Sequence, residues 1–194
     1  MRETNIERTV LNIAGCCNLR CKDCLAFIPY YKEKWIMSLE EAKSIIEKYF
    51  QVVDRVKTFT ITGGEPLLNK NLKDILNEAW KYRNQITGTI DMVTNSTIMI
   101  PCEILDFFEE NKERTRIILS DYGKELSKEI GNIEEQLMGR GITYRISKLS
   151  GDDLYYGGWI DFSDHSLKWK TKEERDANAM KCLHGTGKYF VIND

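Results

Sequence analysis

Short apolar runs alternate with longer amphipathic ones along most of the chain, and that alternation predicts strands separated by helices. Residues 8–14, RTVLNIA, read as a first strand. The stretch 38–53, SLEEAKSIIEKYFQVV, reads as a helix. Ser38 can cap it, Glu41 stands three residues on as in a capping box, and Ile45, Ile46, Tyr49 and Phe50 supply an apolar face. The β-branched run VKTFTIT (56–62) is a second strand, ending in two glycines. NLKDILNEAWKYR (71–83) follows as a helix, TGTIDMVT (87–94) as a strand and PCEILDFFEENK (101–112) as a helix opened by proline. TRIILS (115–120), KELSKEIGNIEEQLMGRG (124–141) and ITYRIS (142–147) continue as strand, glycine-ended helix and strand. Residues 148–170 hold glycines, aromatics and aspartates without a clean period. KTKEERDANAMKC (170–182) reads as one more helix and GKYFVI (187–192) as a last strand.

About six β-α units argue for a parallel sheet covered by helices, either an open doubly wound sheet or a partial or full β/α barrel. Both architectures put ligands at the carboxyl ends of the strands. The loops after the strands should therefore carry the chemistry. They read Cys17-x-x-x-Cys21-x-x-Cys24, then Gly63-Gly64-Glu65-Pro66, then Thr94-Asn95-Ser96, then Ser120-Asp121-Tyr122-Gly123. Each strand end bears small or polar groups where apolar residues would suffice for packing.

Composition narrows the setting. The 194 residues suit one domain, and 42% hydrophobic with 30% charged residues is ordinary for a globular protein. A net charge of -2 gives no basic field for nucleic acid or an anionic membrane. No apolar run approaches the roughly 20 residues that span a bilayer. The N-terminal MRETNIERTV lacks a signal-peptide pattern, so a cytoplasmic location is expected. That compartment disfavours disulfides, so clustered thiols point to metal or redox chemistry.

Four of the six cysteines lie in GCCNLRCKDC, residues 15–24. Thiolates bind soft metals, and iron–sulfur clusters take cysteine ligands. Three cysteines on one short loop can each reach a different iron of a cubane cluster, leaving the fourth iron open for chemistry. The competing reading is zinc, with Cys16, Cys182 or His184 as fourth ligand. Zinc sites usually bring two paired-cysteine knuckles, and the chain has no second one. Gly63 and Gly64 would let a ligand approach the backbone closely, and Glu65 could meet an ammonium group. Taken alone, however, Gly-Gly-Glu-Pro also reads as a plain turn.

As a pair, CxxxCxxC after the first strand and GGEP after the second resemble the radical S-adenosylmethionine (radical SAM) family. VTNST and ILSDYG extend the likeness over nearly the whole chain. The resemblance implies a partial (β/α)6 TIM-like barrel in a single core domain. Residues 1–147 would form the cluster and cofactor part, and 148–194 the substrate side and final elements. It implies a 4Fe–4S cluster held by Cys17, Cys21 and Cys24, with S-adenosylmethionine on the open iron. Reductive cleavage would yield methionine and a 5′-deoxyadenosyl radical that takes hydrogen from a substrate. Gly63, Gly64 and Glu65 match the stretch that contacts the methionine ammonium group. Asn95 and Ser120 match ribose or carboxylate contacts. The backbone at Asp23 matches the adenine position, where an aromatic residue is more usual.

A narrower likeness is to radical SAM proteins associated with polysaccharide biosynthesis. It implies a small-molecule substrate such as a nucleotide sugar or glycan precursor, and an electron donor such as flavodoxin or ferredoxin. Two alternatives stay open: an activase or maturase acting on a protein or peptide, and an iron–sulfur or zinc module without radical chemistry. Cys182 and Gly187-Lys188-Tyr189 fit the edge of a second cluster, but Val191-Ile192-Asn193-Asp194 stand where another cysteine would follow, so one cluster is expected. Tyr155, Tyr156, Trp159, Asp161 and His165 are candidates to touch a sugar or nucleotide, against the plainer reading of packed anchors in a surface loop. His165 and His184 read as structural histidines, and Cys16 as a packed thiol.

Overall fold

The computed structural model describes residues 3–21, 24, 26–149, 171–179 and 189–192. Strands β1 (Asn5–Asn12), β2 (Arg55–Thr62), β3 (Ile86–Thr94), β4 (Thr115–Asp121), β5 (Tyr144–Lys148) and β6 (Tyr189–Ile192) alternate with helices α1 (Leu39–Val52), α2 (Leu72–Lys81), α3 (Cys102–Glu110), α4 (Ile130–Arg140) and α5 (Lys172–Ala179). All strand pairs are parallel, in the order β5-β4-β3-β2-β1-β6. The expected alternation is thus present. The last strand takes the free edge of β1, where Arg8 faces Tyr189 and Leu11 faces Ile192.

Local chemistry sets the helix starts. Ser38 Oγ accepts the Glu41 N–H at 3.2 Å, and the Glu41 carboxylate takes the Ser38 N–H at 2.7 Å, completing the expected capping box. Helix α2 buries Leu72, Ile75, Leu76 and Ala79, the i, i+3, i+4, i+7 stripe of a helix lying on a sheet. The helix expected from residue 124 begins only at Ile130. The Leu126 and Ser127 N–H groups instead turn back to Gly123 O. The Ser127 hydroxyl, 1% exposed, lies 3.0 Å from both Asn95 O and Ser120 O and accepts the Tyr122 N–H. That residue ties the ends of β3 and β4 together, which holds its segment in turns.

One face of the sheet carries Leu11, Phe59, Ile61, Ile90, Met92, Ile117 and Leu119, buried in one core with apolar residues of α1 to α4. On the other face the register aligns Val10, Thr60, Asp91 and Arg116 across four strands. Asp91 is fully buried, and its carboxylate takes an Arg116 guanidinium bond at 2.6 Å and a Thr89 hydroxyl bond at 2.8 Å. A buried charge is tolerated on such terms, paired and hydrogen-bonded. Among the described residues no helix is long and apolar enough to cross a membrane.

The carboxyl end of β1 is held by one buried amide. Asn69 Nδ2 donates to Ile13 O at 2.9 Å and to Met37 O at 3.0 Å, while its Oδ1 accepts the Asn71 N–H at 2.9 Å. Asn69→Ala would strand the Met37 carbonyl and the Asn71 N–H and leave the Ile13 carbonyl with the Met37 N–H alone. It is expected to cost about 2–4 kcal/mol, at roughly 1–3 kcal/mol per stranded group with partial relaxation. Chemical denaturation checks this, and a loss below about 1 kcal/mol would mean that water replaces the amide.

Candidate functional site

The β1–β2 ladder continues past the ends of both strands. Ile13 N–H bonds Thr62 O at 2.8 Å, Gly64 N–H bonds Ala14 O at 2.7 Å, and Glu65 N–H bonds Cys16 O at 3.0 Å. Residues 14–16 and 63–65 therefore lie backbone to backbone. A Cβ on Gly64 would run into Cys16 O and stand 2.8 Å from Cys17 Cβ; one on Gly63 would stand 2.5 Å from Ala14 O. Glycine is required by close approach at both positions. On the other side, Gly15 N–H bonds Trp35 O at 2.9 Å, and Met37 N–H bonds Ile13 O at 3.0 Å. The root of the cysteine loop is thus gripped from two sides, and residues 17–24 emerge from a fixed point.

Cys16, Cys17, Cys21 and Cys24 are all free thiols of intermediate exposure, and Cys102 is exposed on α3. Burial pushes the Cys17 and Cys21 thiols up, and the neighbouring thiols push the same way. Burial also raises Cys16, against the opposing charge of Lys34. Cys17 Sγ receives the Leu19 N–H at 3.3 Å and the Asn95 amide Nδ2 at 3.5 Å. Among the described residues no three metal-donor side chains gather on a single ion position. The fit to a cluster is one of donor chemistry: three soft, half-buried thiols on one loop, beside a backbone cradle that a Cβ would fill.

Glu65 is fully buried. Its Oε1 accepts the Leu67 N–H at 3.1 Å and the Thr94 hydroxyl at 2.9 Å, and its Oε2 accepts the Asn95 N–H at 2.8 Å. The side chain stitches the end of β2 to the end of β3, so its backbone, not its carboxyl, lies along the cysteine loop. Burial pushes the carboxyl from its ordinary 4.5 up to about 7, against these three bonds.

The turn after β3 is equally fixed. Asn95 is 6% exposed, and Ser96, fully buried, adopts a left-handed conformation with φ 58°. Ser120, 6% exposed at the end of β4, offers its carbonyl 3.0 Å from the Ser127 hydroxyl. The Tyr122 phenol is pushed up to about 12, first by burial and then by the thiols of Cys21, Cys24 and Cys17.

The structure therefore gathers Cys17, Cys21, Cys24, Gly63, Gly64, Glu65, Asn95 and Ser120 at the carboxyl ends of β1 to β4. Asp23, Cys182, His165, His184, Tyr155, Tyr156, Trp159 and Asp161 lie outside the described residues. Sequence reasoning missed Asn18, Thr97, Tyr122 and Ser127. Three of these sit in or beside the strand-end loops already singled out, and that position was the available signal.

Two outcomes are expected. A carboxyl whose native pKa is raised holds its proton more tightly when folded, so stability falls as pH rises from 4.5 to about 7 and is level beyond. The full difference is roughly 3 kcal/mol, at about 1.4 kcal/mol per unit. The Tm of the unsubstituted protein minus that of Glu65→Gln should shrink across that window; a difference independent of pH would show an ordinary carboxyl. Gly64→Ala should cost about 1–3 kcal/mol by overpacking and lower iron retention after reconstitution. Gly131→Ala, with nothing near its Cβ position, is the control and should leave iron retention unchanged.

Residues 11–144 match the radical SAM superfamily. The chain is 30% identical over 136 residues to a GTP 3′,8-cyclase of Limosilactobacillus fermentum, covering 66% of this chain and 39% of that protein. It is 27% identical over 143 residues to the GTP 3′,8-cyclase of Lactiplantibacillus plantarum, covering 70% and 41%. It thus spans about two fifths of the length of these curated relatives. Among solved structures, anSMEcpe with bound AdoMet aligns with a TM-score of 0.57 at 19% identity, over 73% of this chain and 43% of that one. BtrN in complex with AdoMet and 2-DOIA aligns with a TM-score of 0.52 at 17% identity, over 75% and 58%. These likenesses establish the partial TIM-like barrel, and the matched span, longer than half the chain, establishes the family with the 4Fe–4S cluster and S-adenosylmethionine that it implies: the chain belongs to the radical SAM superfamily.

Proposed function

We propose that this chain is the catalytic core of a radical SAM enzyme acting on a small molecule that carries a nucleotide or sugar. The observation that carries the reading is the backbone lock between the loop of three free cysteines and Gly63-Gly64. A structural metal knuckle has no need of a glycine cradle from the neighbouring strand. Cys17, Cys21 and Cys24 would hold the 4Fe–4S cluster, which would supply the electron for reductive cleavage of S-adenosylmethionine and, through it, hydrogen abstraction from a substrate.

The chain's own residues do the positioning. The exposed edge of the Gly63–Glu65 backbone receives the ammonium group, Ser120 and the turn at Asn95 flank the nucleoside, and the backbone at Asp23 meets the adenine. Residues 148–194 form the substrate side. An electron donor of the flavodoxin or ferredoxin kind reduces the cluster, and a reducing cytoplasm suits its oxygen sensitivity. That the curated relatives are GTP 3′,8-cyclases, and that BtrN holds the small molecule 2-DOIA beside AdoMet, supports a small-molecule substrate of this kind; the association with polysaccharide biosynthesis is part of this proposal.

Anaerobic reconstitution with iron and sulfide, followed by dithionite and S-adenosylmethionine, tests the reading by chromatography of 5′-deoxyadenosine. Cys17→Ala, Cys21→Ala and Cys24→Ala are each expected to abolish the cluster and the product, and Cys16→Ala to spare both. Retention of a full iron complement in any of the first three would overturn the ligand assignment. Turnover with a peptide, and none with nucleotide sugars, would move the substrate to the other class.

A further inference from the structure

Every polar group of Asn95 is engaged inside the protein. Its backbone N–H goes to Glu65 Oε2 at 2.8 Å, and its C=O lies 3.0 Å from the Ser127 hydroxyl. Its Oδ1 accepts the Thr97 N–H at 3.1 Å and the Thr97 hydroxyl at 2.6 Å. Its Nδ2 donates to Asn18 Oδ1 at 2.8 Å and to Cys17 Sγ at 3.5 Å. Two acceptor and two donor sites are all a primary amide has. The Thr97 backbone N–H can only donate, so the amide oxygen must face it and the nitrogen must face the sulfur. Asn18 closes the arrangement, donating from Nδ2 to Thr97 Oγ1 at 2.6 Å. Three side chains thus form a ring of hydrogen bonds, and the second N–H of the Asn95 amide points out of it at Cys17.

This ring leaves Asn95 no spare valence for a ribose or a carboxylate. We propose that Asn95 is a positioning residue for the cluster: it donates an N–H···S hydrogen bond to the Cys17 ligand and thereby sets the reduction potential. The inference rests on the reading of Cys17 as a cluster ligand. An N–H directed at a ligating sulfur stabilises the negative charge there. Reduction adds charge to the cluster, so such a bond favours the reduced form and raises the potential. The Leu19 N–H on the same sulfur, at 3.3 Å, acts in the same direction but is fixed by the loop backbone. Asn95 is the part that substitution can tune. Its setting is rigid, because Ser96 behind it holds a left-handed turn and Glu65 pins its backbone.

The test is a redox titration of the reconstituted full chain followed by electron paramagnetic resonance, on the unsubstituted protein, Asn95→Leu and Asn95→Ala. Iron and sulfide per chain are counted in parallel. The expected result is a midpoint potential shifted to more negative values in whichever variant loads a full cluster. An unchanged or more positive midpoint in a fully loaded variant overturns the proposal. Loss of the cluster from both variants also overturns it, because it would give Asn95 a purely loop-holding role. Failure of the underlying reading looks different: the unsubstituted protein would load no cluster, or Cys17→Ala would load one normally.

Discussion

The site depends on a short length of parallel backbone pairing that outruns its own strands. Between Ile13 and Glu65 three N–H···O bonds extend the β1–β2 ladder into what would otherwise be two independent loops. Loops are normally the least determined parts of a fold, since each ordered residue costs about 1–2 kcal/mol of backbone entropy. Here the cysteine loop inherits the rigidity of the sheet at its root. It gains that rigidity only because positions 63 and 64 have no Cβ to hold the two backbones apart. The same pairing decides where the thiols begin. Cys16 lies in the ladder, its carbonyl bonded to Glu65, whereas Cys17 is the first residue free to turn toward a metal.

Two buried carboxyls serve the structure by opposite means. Asp91, beneath the site, is matched by a full charge on Arg116 one strand away. Glu65, within the site, has no cation beside it among the described residues and is held by three neutral donors. Three such bonds do not fully repay desolvation, which is why its affinity for a proton rises toward neutrality. The arrangement joins three loops at one point, and it leaves a group that a bound cation could readily ionise.

The fold was largely legible because its signals are local. Ser38 and Glu41 announce a capping box within four residues, and the β-branched runs at 56–62 and 115–120 have no helical face to offer. The late start of α4 was not legible: Ser127 has the composition of a helix residue, and only its distant partners on β3 and β4 hold it in a turn. The site divides in the same way. Cys17, Cys21, Cys24, Gly63 and Gly64 are readable because spacing and size alone specify them. The duties of Glu65 and Asn95 are not, since their partners lie about 30 and 78 positions away in sequence. Asn18 and Thr97 matter only through the ring they close, a geometry that no one-dimensional pattern encodes.

The place of β6 bears on the order in which the molecule assembles. It pairs with β1, Arg8 facing Tyr189, and among the described strands this is the pairing of longest sequence separation. Non-local pairing must wait for the intervening chain to be organised. During synthesis β1 can find β2 early, and the cysteine loop with its glycine cradle can form while the far flank of β1 is still bare. Assembly of the cysteine loop and closure of the sheet are thus separable events in time. A nascent chain would have a built cluster loop before it had a finished barrel wall.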